Sequence, residues 1–265
     1  MKLAGVIGWP VAQSLSPRLH GYWLEEHGID GAYVRLPVRP EDFSIALRGL
    51  RISGFRGVSV TVPHKEAAFA IAHSADAQAA EAGAVNQLVF DEDGHVRGLN
   101  TDAPGLAASL GEAGVDVRGK PVVLLGAGGA ARAALVTLRS LGAGEIRILN
   151  RSEGRLGAKA LSHWPEAARD AGLVVNATSA GMKGTPSLPL DLARLPANAV
   201  VCDIVYNPLQ TELLKQARAR GLKTVDGLGM LMHQAVPAFE AFFGVRPKVT
   251  PGLRRVLEEA LGHGG

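Results

Sequence analysis

The stretch VVLLGAGGAARAAL, residues 122–135, decides the fold. Its apolar first residues predict a buried strand, and the alanine-rich residues after the glycines predict a helix. This order of strand, glycine turn and helix is typical of dinucleotide-binding proteins, in which Gly126 would allow the tight turn and Gly128 would let the backbone approach a pyrophosphate. Ala131 takes the small third position, and the pyrophosphate would bind at the helix N-terminus. Glycine turns can also serve packing alone, and it is the flanking strand and helix that favour a dinucleotide site.

The residues after the next strand point to the identity of the dinucleotide. EIRILN, residues 145–150, ends in Asn150 and continues with Arg151, Ser152 and Arg155. An NAD site usually has an acidic residue at this strand end, where it binds the ribose 2′-hydroxyl. Two guanidinium groups can instead bind a 2′-phosphate and stack on adenine. We therefore expect NADP, with a solvent-exposed helix start as the alternative role of the arginines.

Strand-like and helical runs alternate along the rest of the chain. Such alternation predicts an α/β fold with helices packed on mostly parallel sheets. VNQLVF and HVRGLN flank the turn DEDG and predict a hairpin. The dinucleotide series begins after NTD, residues 100–102, and we expect a domain boundary near residue 101. Residues 102–237 would then form a Rossmann-like NADP-binding domain, and residues 1–101 a separate α/β domain.

Composition argues against several classes of protein. The chain has 265 residues, with 28 Lys plus Arg against 25 Asp plus Glu, and its net charge of +3 is spread without a long basic run. This balance gives no support to nucleic-acid binding. Cys202, the single cysteine, lies in the apolar run AVVCDIV and is predicted to be a buried strand residue. No apolar run approaches the roughly 20 residues that a membrane span needs, and we expect a soluble cytoplasmic protein.

Nine motifs occur in an order that resembles the shikimate dehydrogenase family. They are SLSP, VTVPHK, GAVNQL, NTD, GAGGAA, NRS, NATSAGM, DIVYNP and GLGMLMHQA, and together they cover nearly the whole chain. The resemblance implies a two-domain enzyme that reduces 3-dehydroshikimate to shikimate with NADPH, in the pathway to aromatic amino acids. It also implies a substrate-binding role for residues 1–101, completed by a C-terminal helix within residues 238–265 that returns to the first domain.

Lys65 and Asp102 are the catalytic residues that the resemblance implies. Lys65 falls in the first turn of a predicted helix, where the positive helix end disfavours an ammonium. A neighbouring carboxylate such as Asp102 would favour the ammonium, and the pair could supply a proton to the alkoxide that forms when hydride reaches a ketone. From the residues alone, Lys65 could be an exposed lysine that covers apolar surface, and Asp102 could be an N-cap for APGLAASL.

Two serines near the N-terminus are candidates for binding a carboxylate. Ser14 and Ser16 are two residues apart and so lie on one side of an extended segment, with Pro17 opening a helix. Ser16 could equally be the N-cap of that helix. The resemblance implies that both hydroxyls bind the substrate carboxylate. It also implies that Tyr206 of DIVYNP reaches the same group, although a strand-end tyrosine is often a packing residue.

The remaining binding residues are also implied by the resemblance. The substrate-binding set is Ser14, Ser16, Thr61, Lys65, Asn86, Asp102, Tyr206 and Gln234. The cofactor-binding set is Gly126, Ala127, Gly128, Gly129, Ala130, Asn150, Arg151, Ser152, Arg155, Ala177, Thr178, Ser179, Val205, Gly227 and Met230. Taken singly, these residues have structural alternatives, such as a turn for Asn86 or an exposed helix position for Gln234. No group of His, Cys, Asp and Glu has metal-ligand spacing, and hydride transfer needs no metal, so we expect no metal site.

The sequence departs from the family pattern at several positions. Ser59 stands where Asn commonly precedes VT, Gln87 where Thr commonly follows VN, and the pair AP at 103–104 where glycine commonly follows NTD. The span between NRSEGR and LVVNATS is short. We expect one secondary-structure element fewer there, or a bare loop, with adenine binding most affected.

Three functions stay open from the sequence. The first is an NADP-dependent shikimate dehydrogenase, and the second is a relative that acts on quinate or another cyclitol acid, with NADP or NAD. The third is a non-catalytic sensor that keeps both pockets. Asn150 and Arg151 argue against NAD, and the presence of both Lys65 and Asp102 argues against a sensor. We expect small molecules as the only partners of a monomer or homodimer.

Overall fold

The computed structural model describes residues 1–262 as two compact units. The first unit contains Met1–Thr101 and the segment from Gln234 onward, and the second contains Asp102–His233. The strands are β1 (Lys2–Gly8), β2 (Gly31–Pro37), β3 (Phe55–Val60), β4 (Ser74–Ala75), β5 (Gln87–Phe90), β6 (Val96–Leu99), β7 (Val122–Leu125), β8 (Ile146–Asn150), β9 (Lys159–Ala160), β10 (Leu173–Asn176), β11 (Val200–Asp203) and β12 (Lys223–Val225). The α-helices are α1 (Ser16–Glu26), α2 (Phe43–Ile52), α3 (Lys65–Ile71), α4 (Ala77–Ala82), α5 (Asp102–Glu112), α6 (Gly129–Ser140), α7 (Trp164–Ala167), α8 (Glu212–Ala219), α9 (Gly227–Phe243) and α10 (Pro251–Ala260).

The first unit is built on a mixed sheet with the strand order β2-β1-β3-β5-β6-β4. Strand β1 pairs in parallel with β2 and β3, whereas β5 is antiparallel to both β3 and β6. The predicted hairpin over β5 and β6 is therefore confirmed, with Gly94 in its turn at φ 87°. Ile7, Val58 and Leu88, from three neighbouring strands, are fully buried in one core cluster. This core holds the ends of β1, β3 and β5 in register.

The second unit is built on a fully parallel sheet with the order β12-β11-β10-β7-β8-β9. Its central strand β7 shows why the run VVLL is apolar throughout. Val122 and Leu124 belong to one buried cluster, and Val123 and Leu125 belong to another. Successive side chains of a strand point to opposite faces, so a strand covered by helices on both faces needs apolar residues at every position. The α/β fold class with parallel strands is thus confirmed.

The C-terminal segment packs on the first unit. The indole nitrogen of Trp23 donates to the carbonyl of Lys248 at 3.1 Å, and the Lys2 ammonium donates to the carbonyl of Phe243 at 2.6 Å. In α10, Leu253 and Leu257 are fully buried on one helix face. Within residues 1–262, none of the helices is both long and apolar enough to cross a membrane.

Candidate functional site

The two predicted carboxylate-binding serines lie where the chain enters α1. Ser14 and Ser16 are both buried, and the Ser14 hydroxyl accepts from the backbone N–H of Ser16 at 3.3 Å. Arg35 donates to the carbonyl of Ser14 through two guanidinium nitrogens, at 3.0 and 2.7 Å. The interpretation of Ser16 as an N-cap is wrong, because α1 begins at Ser16 itself, Leu15 occupies the capping position, and no side chain caps the helix. Arg35, a residue of β2 that lies in none of the nine motifs, therefore fixes this segment.

Lys65 begins α3 directly after the turn that follows β3, as predicted. The turn is held on both sides by backbone hydrogen bonds. The N–H of Thr61 donates to the carbonyl of Ile7 at 2.9 Å, and the carbonyl of Lys65 accepts from the N–H of Val85 at 2.9 Å. The buried His64 ring stacks on Phe43 with centroids 4.5 Å apart. Lys65 is therefore carried on a backbone fixed beside the start of β5.

Three side-chain amides and one hydroxyl form a hydrogen-bonded cluster that we call the amide cluster. Its members are Asn86, Gln87, Thr101 and Gln234. The carbonyl of Asn86 accepts from the N–H of Val60, directly before the turn, at 2.7 Å. The side-chain oxygen of Asn86 accepts from the backbone N–H of Thr101 at 2.8 Å, and its nitrogen lies 3.0 Å from the Thr101 hydroxyl. The nitrogen of Gln87 lies 3.2 Å from Oε1 of Gln234. Asn86 is thus a buried network residue rather than a turn residue, and Gln234 takes part in the network rather than standing in solvent. Sequence reasoning missed Thr101, which lies within the motif NTD, and Gln87, which directly follows VN.

The glycine turn after β7 has the backbone that a dinucleotide site requires. Gly126 has φ 111°, and a Cβ there would lie 3.0 Å from the carbonyl oxygen of Ala177, so glycine is required by conformation and by packing. Gly128 is exposed at the start of α6, and a Cβ there would meet nothing within 4 Å. No packing contact of the described residues demands a glycine at position 128. A dinucleotide site, in which the backbone approaches a pyrophosphate, would favour a glycine at this position.

In the loop after β8 the arginines are exposed to solvent, and the carboxylate is hydrogen-bonded to the backbone. Asn150 donates from its amide nitrogen to the carbonyl and hydroxyl oxygens of Ser152, at 3.0 and 3.2 Å. Arg151 and Arg155 are exposed. The carboxylate of the loop, Glu153, accepts from the backbone N–H of Ala160 at 3.0 Å and so ties the loop to β9. This arrangement suits a ligand phosphate better than a ribose hydroxyl.

The expectation of a missing element or a bare loop after NRSEGR is wrong. The short span contains β9, which pairs in parallel with β8, and the one-turn helix α7. Trp164 explains how so short a span keeps its structure. Its ring is buried in the core of the second unit, and its indole nitrogen donates to the carbonyl of Asp191 at 2.9 Å.

The NATSAGM loop is organised by a buried carboxylate. Asp203, at the end of β11, accepts from the Asn176 amide nitrogen at 2.9 Å and from the Thr211 hydroxyl at 2.7 Å. The Asn176 oxygen accepts from both the N–H and the hydroxyl of Thr178, at 3.1 and 2.7 Å. Burial raises the pKa of Asp203 to about 6, although the hydrogen bonds from Thr211, Val205 and Asn176 act in the opposite direction. Asp203 was not predicted as a site residue, because its only sequence signal is its place in DIVYNP.

The other predicted residues at this end of the second unit have mixed surroundings. A Cβ on Gly227 would lie 2.3 Å from the carbonyl oxygen of Ile204, so close backbone packing by itself requires that glycine. Met230 is buried in a core cluster of the second unit. Tyr206 is half-buried, and Ala177 and Val205 are buried. Cys202 is confirmed as a buried residue of β11, and burial raises the pKa of its thiol further.

Asp102 is buried and is the first residue of α5. It lies in the second unit, directly after Thr101 of the amide cluster in the chain. Among residues 1–262, no group of three or more His, Cys, Asp and Glu side chains is arranged to bind a metal ion.

Comparison with known proteins identifies the family. The family model described as the shikimate dehydrogenase substrate binding domain matches residues 6–88. A shikimate dehydrogenase (NADP(+)) of Methylobacterium radiotolerans is 52% identical over 275 residues, which cover 98% of each chain. The chain belongs to the shikimate dehydrogenase family. The resemblance seen in the nine motifs is confirmed.

Solved structures of family members match the whole chain. The shikimate 5-dehydrogenase of Thermus thermophilus, in complex with NADP(H) and shikimate, is 37% identical with a TM-score of 0.86 and full coverage of both chains. A quinate dehydrogenase of Corynebacterium glutamicum, in complex with NAD, is 31% identical with a TM-score of 0.85 and covers 98% of this chain and 99% of its own. The names of the closely similar relatives agree with the prediction of NADP.

Proposed function

We propose that this chain catalyses the reversible, NADPH-dependent reduction of 3-dehydroshikimate to shikimate. The proposal is supported by the fixed turn at Lys65, whose backbone carbonyl accepts from the N–H of Val85 at 2.9 Å, directly before Asn86 of the amide cluster in the chain. A cyclic polyol acid needs neutral hydrogen-bonding groups around its hydroxyls, because each hydroxyl buried without a partner costs about 1–3 kcal/mol. The amide cluster supplies such groups, and Lys65 supplies a cation that can give up a proton.

Lys65 is proposed as the proton donor. Its ammonium stabilises the negative charge that develops on the ketone oxygen as hydride arrives at the carbon, and then transfers its proton to that oxygen. Asp102 is proposed as the acidic partner that keeps this lysine charged. Bound NADPH supplies the hydride in this scheme.

The other binding roles follow from residue chemistry. Ser14 and Ser16 are proposed to donate to the substrate carboxylate together with Tyr206. Thr61, Asn86 and Gln234 are proposed to bind the ring hydroxyls. These side chains offer donors and acceptors without a second buried charge.

The cofactor residues form two groups by their chemistry. The glycine turn at Gly126, Ala127, Gly128, Gly129 and Ala130 is proposed to bind the pyrophosphate, and Asn150, Arg151, Ser152 and Arg155 the 2′-phosphate end. Ala177, Thr178, Ser179, Val205, Gly227 and Met230 are proposed to line the nicotinamide end. Residues 1–101 with the C-terminal segment would then be the substrate-binding domain and residues 102–237 the NADP-binding domain. A cytoplasmic location and a monomeric or homodimeric state stay predictions.

Lys65→Met tests the proposed chemistry, because methionine keeps an unbranched apolar side chain and removes the ammonium. We expect kcat with shikimate and NADP to fall by about 10²–10⁴-fold, the usual contribution of a general acid, while the Kd of shikimate changes far less. Lys215→Met, at an exposed lysine of α8, is the matched control and should leave kcat unchanged. The readout is nicotinamide absorbance in steady state, with calorimetry for binding. If the Lys65→Met variant had the same kcat as wild type, Lys65 would not be the proton donor.

A second candidate is oxidation of quinate with NAD. It is favoured by the full-length likeness to the Corynebacterium glutamicum quinate dehydrogenase in complex with NAD. The exposed arginines after β8 favour NADP instead. Assaying wild type with shikimate against quinate and NADP against NAD decides between the two, and binding of both ligands without turnover would instead support a sensor.

A further inference from the structure

We propose that Gln87 is a positioning residue for the substrate pocket. It holds the carboxamide of Gln234 with its oxygen turned into the protein, so that the NH₂ group of Gln234 serves as a donor to a substrate hydroxyl. This inference rests on the proposed role of Gln234 as a substrate ligand. Neither the motifs nor the family pattern assigns a role to Gln87, because threonine is common at that position.

The two glutamines are in direct contact, and the Gln87 side of the contact is fully buried. Nε2 of Gln87 lies 3.2 Å from Oε1 of Gln234 and 3.3 Å from the hydroxyl of Thr101. Gln87 is 0% exposed, so no bulk water can replace a hydrogen bond that its side chain loses. The contact joins the first residue of β5 to α9, at positions 147 residues apart in the sequence.

The surroundings of Gln234 fix which end of its amide faces inward. Nδ2 of Asn86 lies 3.5 Å from the same Oε1 atom, and the Thr101 hydroxyl lies 3.4 Å from it. A flipped Gln234 would bring its NH₂ group against the NH₂ groups of Asn86 and Gln87, where donor faces donor. The inward end of Gln234 is therefore an acceptor, and the other end of the planar amide is a donor.

Gln87 is itself held in one orientation from behind. Its Oε1 accepts from the Ser59 hydroxyl at 2.7 Å, and Ser59 in turn accepts from the Tyr33 hydroxyl at 2.6 Å. Ser59 and Gln87 are direct cross-strand partners of β3 and β5. A hydrogen-bond relay from Tyr33 through Ser59 and Gln87 thus sets the polarity of Gln234.

Two variants remove the contact in different ways. Gln87→Met keeps the length of the side chain without its amide, and Gln87→Asn keeps an amide that is one methylene too short to reach Gln234. We expect each to raise the KM and the Kd of shikimate by about tenfold, as for one lost hydrogen bond, with kcat and the KM of NADP within about twofold of wild type. Gln216→Met is the matched control, because it makes the same substitution at an exposed glutamine of α8, outside the relay. It should change the KM of shikimate by less than about twofold.

A double-mutant cycle separates positioning from general loss of structure. If Gln87 acts through Gln234, then adding Gln87→Met to Gln234→Ala raises the Kd of shikimate no further, since the group to be positioned is already gone. Effects that multiply in the double variant would overturn the proposal. So would unchanged Kd values in both single variants, or a parallel rise in the KM of NADP.

The wild type in the same plate keeps this test separate from that of the proposed function. Failure of wild type to turn over shikimate, with shikimate still bound, contradicts the enzymatic function only, and the cycle measured on Kd by calorimetry still decides the role of Gln87. Failure of wild type to bind shikimate at all overturns both proposals.

Discussion

The two units hold the loops at their strand ends with different polar groups, neutral amides and hydroxyls in the first and a carboxylate in the second. Each has a buried polar network that fixes the loops behind its strand ends. In the first unit the network runs from Tyr33 through Ser59 and Gln87 to Gln234, and every member is neutral. In the second unit the network centres on the carboxylate of Asp203, which joins the loops after β10 and β11. Neutral amides can form hydrogen bonds directly with a polyol. A fully buried carboxylate instead forms hydrogen bonds with the loops that surround it.

The comparison extends to how each unit should respond to pH. The first unit buries His20, whose ring stacks on Tyr33 with centroids 3.9 Å apart. Burial lowers the pKa of this imidazole to about 3, whereas burial raises the pKa of Asp203 to about 6. Lowering the pH should therefore decrease the stability of the first unit, because His20 must be protonated, and increase the stability of the second unit, because Asp203 is neutralised. Buried ionisable groups of opposite type give the two units opposite pH signatures.

The largest expected effect comes from His20→Phe, which keeps an aromatic ring against Tyr33. The unfolded chain protonates His20 near pH 6.5 and the folded chain only near pH 3, so wild type loses stability as pH falls through that window. Relative to wild type, the variant should gain about 1.4 kcal/mol for each pH unit below 6.5, up to ~5 kcal/mol. Urea unfolding between pH 7 and 4 measures this difference. His27→Phe, at a partly exposed histidine, is the control, and an equal pH slope in wild type and His20→Phe would contradict the assignment.

Asp203→Asn should show the reverse sign. The folded-state pKa of Asp203 lies above its ordinary value of 3.8, so its contribution to stability is complete below pH 3.8 and is lost as pH rises through about 6. Between pH 4 and 7 the variant should gain on the order of 3 kcal/mol on wild type at most, because it has no carboxylate to ionise. The exposed Asp191→Asn serves as the control, with the same urea titrations. If Asp203→Asn instead gained stability relative to wild type as the pH falls, the surroundings of Asp203 would stabilise its ionised carboxylate and not penalise it.

Arg151→Ala should give the smallest effect of the three. It should change the KM of the cofactor and not the KM of the substrate. Loss of charge-assisted hydrogen bonds to a 2′-phosphate, worth about 1.5–3 kcal/mol, should raise the KM of NADP by about 10–100-fold and leave that of NAD unchanged. The KM of shikimate should not move, in contrast to Gln87→Met. Arg169→Ala, at another exposed arginine of the same unit, is the control. Equal losses with NADP and NAD would mean that Arg151 does not read the 2′-phosphate.

Local patterns in the sequence were enough for most of the elements and for the family. The run VVLL before the glycine turn predicted a strand, and DEDG predicted the hairpin. In both cases the residues that decide the structure are neighbours in the chain. The prediction of Lys65 at the start of a helix was correct for the same reason. The ordered motifs established the family because many short matches in one order are far more specific than any single match.

Only the tertiary structure decided how these pieces are supported. The chain alone could not show that Ser14 is held by Arg35, that Gln87 reaches Gln234, or that Trp164 keeps a short span structured. Glutamine, serine and aspartate fit exposed loops as readily as buried networks, so their types carry little information about burial. Their partners lie on other strands and helices, and only the folded sheet brings them within hydrogen-bond distance. The sequence by itself determined which chemical groups this protein has, and the fold determined which of them are dry, paired and oriented.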